Sequence, residues 1–110
     1  ELQPYLPKNA ALTSVSPGPE YIQAPIDQAP FDLILVDGLD RVACVEASLG
    51  ALAPRGVILL DDTHRCEYQV LLAKLREQGF KTLTFFGPKP TSIIEAQSTL
   101  IYRTDNVLNI

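Results

Sequence analysis

Phe31-Asp32-Leu33-Ile34-Leu35-Val36-Asp37-Gly38 and Gly56-Val57-Ile58-Leu59-Leu60-Asp61-Asp62 are two apolar runs that each end in aspartate. One helix-length segment separates them. Unalternating Val, Ile and Leu bounded by Gly or Pro read as strands buried on both faces, the pattern of parallel sheets covered by helices. In open α/β sheets the ligand site lies beyond the carboxyl ends of the strands. Asp37, Asp61 and Asp62 are therefore expected on one rim, at neighbouring strand ends.

Between the two runs, Asp40 is placed to cap a helix over 41–52, whose Val42, Val45, Leu49 and Leu52 make an apolar stripe. Pro54-Arg55-Gly56 reads as the turn into a strand over 57–61. Thr63 is placed to cap a second helix running to Gln78, with Tyr68, Leu71, Leu72 and Leu75 facing inward and Gly79 as its stop. Two further strands are read over 80–86 and 98–103. The Gly87-Pro88-Lys89-Pro90 loop between them has no helical period long enough for a parallel crossover, so these two strands are expected to pair as a hairpin. The order is strand, helix, strand, helix, strand, strand. Right-handed parallel crossovers join the first three strands, and the last enters antiparallel.

Upstream of residue 31 the composition changes. Pro4, Pro7, Pro17, Pro19, Pro25 and Pro30 are six of the nine prolines, a density that excludes a long helix or a central strand. The segment has room for a short strand at 11–15 and otherwise extended connection. The chain thus divides into a Pro-rich lead, 1–30, and an α/β unit, 31–110.

The 110 residues suit one domain, and 46% hydrophobic with 20% charged residues allow a packed core. A net charge of -4 argues against nucleic acid or an anionic membrane surface as the partner. No apolar run approaches the ~20 residues that span a bilayer, and no signal-peptide pattern opens the chain. Cys44 and Cys66, without C-x-x-C spacing, read as reduced thiols of a cytoplasmic protein.

In order and spacing, the 31–38 run, Leu52-Ala53-Pro54-Arg55-Gly56-Val57-Ile58-Leu59-Leu60-Asp61-Asp62 and the tail Ser98-Thr99-Leu100-Ile101-Tyr102-Arg103-Thr104-Asp105-Asn106 resemble the C-terminal half of a class I S-adenosylmethionine-dependent methyltransferase. In that family the fourth strand ends in an acid, and a leucine-x-proline-glycine-glycine turn leads into the fifth. Arg55 stands here in place of the first glycine of that turn. The resemblance implies half of a Rossmann-like sheet, parallel with a closing antiparallel strand. It further implies methyl transfer to a small-molecule oxygen or nitrogen nucleophile, with Asp37 and Gly38 beside the cofactor. The family holds its cofactor mainly through a Gly-rich loop after the first strand and an acid ending the second. Glycines here stand at 18, 38, 50, 56, 79 and 87, so G-x-G does not occur. The chain therefore reads as a fragment or truncated homologue, inactive alone, or as a non-enzymatic module built on a degenerate methyltransferase fold.

The acidic rim has two readings. Three hard carboxylates suit Mg²⁺. Catechol-type O-methyltransferases, relatives on the same fold, place a metal with an acid after the fourth strand and an Asp-Asn pair after the fifth. Asp37 and Asp61 match this pattern, and Asp62 stands where those enzymes carry Asn. The other reading is that the aspartates cap the following helices and satisfy loop amides. His64, the lone histidine, is a candidate general base, the residue type suited to that work at neutral pH, or an exposed loop residue. Cys66 at a helix start is a reactive or a buried thiol, Lys89 reads as solvated, and Tyr5, Tyr21, Tyr68 and Tyr102 read as packing residues. A receiver domain is set aside because Asp37 precedes the acidic pair, the reverse of that family's order. A haloacid-dehalogenase-type phosphatase is set aside because Asp37-x-x-Asp40 is one residue too long for D-x-D. Finally, Leu33 to Val36 are too apolar for a free sheet edge. The strand is thus expected to be covered by the Pro-rich lead, by a missing N-terminal half, or by a second copy in a two-fold dimer.

Overall fold

The computed structural model describes residues 5–91 and 93–110. It is an α/β fold whose four-stranded mixed sheet has the order β1-β2-β4-β3. β1 (Phe31–Val36) lies parallel to β2 (Leu52–Asp61), and α2 (Arg41–Ala51) makes the crossover. α3 (Cys66–Glu77) leads to β3 (Lys81–Gly87), and β4 (Ala96–Tyr102) closes the chain's sheet. β4 is antiparallel to both β2 and β3. β1, β2 and β3 therefore run in one direction, with β4 inserted against them between β2 and β3. The expected hairpin of the last two strands forms. Among the described residues no helix is long and apolar enough to cross a membrane.

The core lies on one face of this sheet. Val36, Ile58, Leu60 and Ile101 pack against Val45 of α2 and against Tyr68, Leu71, Leu72 and Leu75 of α3, the inward set that helical spacing predicts. α3 ends at Glu77 with Gln78 as its C-cap, and Gly79 follows at φ 94, the left-handed conformation that favours glycine. The amides of Gly79 and Phe80 then close on the carbonyls of Arg76 and Leu75.

The opposite face departs from the two-sided burial expected of the apolar runs. Leu33 is 59% and Leu35 60% exposed, because both helices lie on the other side of the sheet. The apolar pattern reports that both faces of β1 are hydrophobic; it does not report which layers are present to cover them.

Other local expectations shift for physical reasons. No strand forms at 11–15. The lead instead uses two of its prolines as helix starts, in α1 (Pro19–Gln23) and in a 3-10 helix over Ala24–Gln28. Both pack against α2, so the lead flanks the sheet without adding a ladder to it. The expected turn Pro54-Arg55-Gly56 lies inside β2, where pairing jumps from Phe31–Leu52 to Leu33–Val57 and leaves a bulge. A Cβ on Gly56 would come within 2.7 Å of the Phe31 carbonyl oxygen, so this close approach requires glycine.

Arg55, the departure from the family turn, anchors the end of the chain. Its guanidinium bonds Asp105 at 2.8 Å, the Asn106 carbonyl at 2.7 Å and Asn109 at 2.8 Å. Asn106 is itself buried, and its side-chain amide donates to the carbonyls of Arg103 and Ile110.

Thr63 and Asp40 do not cap helices. Arg65 is the N-cap of α3 and makes no side-chain cap bond. Thr63 is fully buried: its amide donates to the Gln97 carbonyl, and its hydroxyl is 2.8 Å from that of Thr99. Thr99 lies in turn 2.9 Å from Thr84, so three hydroxyls tie the β2–α3 turn to β4 and β3. Asp40 occupies the N-cap position of α2 at φ 46, ψ 44, where its carboxylate makes no cap bond; an N-cap side chain reaches the first-turn amides from the β region instead.

Thr99→Val removes the middle of this chain and leaves the Thr63 hydroxyl buried without its partner. We expect a loss of about 1–3 kcal/mol in stability, read as a lower urea midpoint at unchanged slope.

Candidate functional site

The carboxyl ends of β1 and β2 bring Asp37, Asp61 and Asp62 to one rim, as the sequence predicts. What holds them together is a residue that sequence reasoning passed over. Arg41 is the first residue of α2, so the short β1–α2 loop delivers its side chain to the rim. The side chain is only 12% exposed. Its guanidinium stands 3.2 Å from Asp37, 3.9 Å from Asp61 and 3.4 Å from Asp62. It also donates to the backbone carbonyls of Gly38 and Asp61, each at 2.9 Å. The signal was in the sequence: an arginine four residues after Asp37, at the expected start of the incoming helix.

Lys89 is the second cation of the cluster. It reaches back from the β3–β4 loop to 3.3 Å from Asp62, in place of the purely solvated position expected. Asp62 thus bridges α2 and the loop. It sits at φ 57, a left-handed conformation uncommon outside glycine, asparagine and aspartate. Asp61 accepts a 2.6 Å hydrogen bond from the Ser98 hydroxyl of β4. Burial works to raise the Asp61 pKa. It is outweighed by the bonds from Ser98 and the Asp62 amide, by its pairing with the Asp37 carboxyl and by the charge of Arg41, so the group is held below its ordinary value.

The two sequence readings of the rim can be set against this geometry. Neither α2 nor α3 has a side-chain cap bond, so the aspartates do not cap the helices; of that reading the loop-amide part holds for Asp61, which accepts from the Asp62 amide. The carboxylates are spent instead on the Arg41 guanidinium, which reaches all three. For Mg²⁺, each aspartate is already paired to Arg41, and Asp62 also to Lys89. Among the described residues, no group of three or more His, Cys, Asp and Glu is arranged to hold a metal ion. The rim as folded does not fit a divalent cation.

Gly38 lies just beyond β1, where the resemblance puts the cofactor. Its carbonyl is taken by Arg41, and a Cβ there would run into the Tyr21 hydroxyl of α1. Tyr21 therefore covers the backbone that a cofactor would approach, and the described residues form no glycine cradle for S-adenosylmethionine. His64 is exposed in the β2–α3 turn. It lines a cavity of about 170 Å³ with Asp62, Arg65, Lys89, Glu95 and Ala96, on the outer side of the acidic cluster. A second hollow, about 520 Å³, opens between the starts of α2 and α3 beside Arg41, Arg65 and Tyr68.

Cys66 is exposed at the start of α3. Cys44 is half-buried in α2, and burial together with the Asp40 charge raises its pKa, which keeps the thiol protonated. Among the tyrosines, Tyr68 and Tyr21 pack as expected, whereas Tyr5 is 84% exposed.

No protein-family model matches the chain, and no curated protein matches it in sequence.

Arg41→Met leaves the carboxylates facing one another without their shared cation. We expect a loss of about 3 kcal/mol, measured by denaturant titration. Millimolar Mg²⁺ leaves the wild-type melting temperature unchanged; a rise that Asp61→Ala abolishes would restore the metal reading.

The lowered Asp61 pKa stabilises the folded state above its ordinary value of 3.8, and that stabilisation is lost as pH falls below it. Asp61→Asn therefore flattens the acid limb of the stability profile, read from melts at descending pH.

Proposed function

We propose that this chain is the acceptor-side half of a class I S-adenosylmethionine-dependent methyltransferase, or a truncated homologue of one, and that it does not transfer methyl groups alone. One observation carries the reading: an antiparallel strand, β4, enters a sheet whose other three strands run together and whose carboxyl ends carry the acidic rim. An antiparallel closing strand is what the resemblance implies, and strand ends are where α/β sheets bind ligands. The cofactor, when bound by a complete domain, supplies an electrophilic methyl group. The residues of this half line the acceptor side: the Arg41-centred cluster fixes the ends of β1 and β2, and His64 and Lys89 face the small cavity beyond them. Holding a small oxygen or nitrogen nucleophile in line is most of what a protein contributes to such a reaction.

The alternative is a non-enzymatic module with a degenerate form of the same fold. It is favoured by Tyr21 over Gly38 and by the pairing of every rim carboxylate. Reading the coding frame upstream separates the two. A Gly-rich strand, loop and helix ahead of Pro4 supports the methyltransferase reading, and an unrelated domain or a start codon there leaves the module.

Calorimetric titration of the 110-residue chain with S-adenosylmethionine is expected to give no micromolar binding. Micromolar affinity would show that this half carries a cofactor site of its own.

A further inference from the structure

We draw no further inference here: the strongest candidate, the apolar face of the sheet that Leu33, Leu35, Leu83 and Phe85 leave exposed opposite the helices, carries nothing because nothing in the structure shows what covers it.

Discussion

The rim exists as a folded object because one guanidinium stands among three carboxylates. Two like charges 4 Å apart repel by about 1 kcal/mol in water and about 4 kcal/mol near a protein surface. A parallel β-α-β unit whose strands both end in aspartate therefore opposes its own closure unless a cation enters between the strand ends. Arg41 is that cation, and its planar fork lets it serve several acceptors at once. Because it opens α2, the interaction also sets where the crossover helix begins, and through α2 where the lead can pack.

Further polar contacts extend this arrangement outward from the strand ends. Asp62 carries the charge to Lys89 and so to the β3–β4 loop, and Asp61 carries it to Ser98 on β4. The Thr63–Thr99–Thr84 hydroxyls repeat the link on the core side. β4, the strand that runs against its neighbours, is thus joined to the β2 end by side-chain bonds on both faces as well as by its ladder. At the opposite end, Arg55 and Asn106 fasten the tail. The same residues that would make chemistry at the rim are also what keeps the inserted strand in place.

Much of this was legible in the residues. Strand-length apolar runs, the inward stripe Tyr68, Leu71, Leu72 and Leu75, and Gly79 as a stop all report local geometry, and local geometry is encoded locally. The errors fell where a side chain had two possible partners. Thr63 and Asp40 are good capping residues by type; one hydroxyl was claimed by Thr99, 36 positions further along the chain, and one backbone turned left-handed. Arg41 was overlooked for a related reason. A solitary arginine at a helix start has no periodicity to mark it, and its meaning depends on Asp61 and Asp62, twenty residues away in sequence.

The sequence by itself determined the elements, the face each helix buries and the convergence of Asp37, Asp61 and Asp62, because strand ends and helical stripes follow from residue spacing alone. Tertiary structure decided that β4 lies between β2 and β3, that the acids meet a guanidinium, and that one hydrophobic face of the sheet is left open. Those outcomes depend on which distant groups reach each other and on how many layers are present. Both are properties of the assembled chain, since a charge or an apolar side chain carries no mark of the partner it will find.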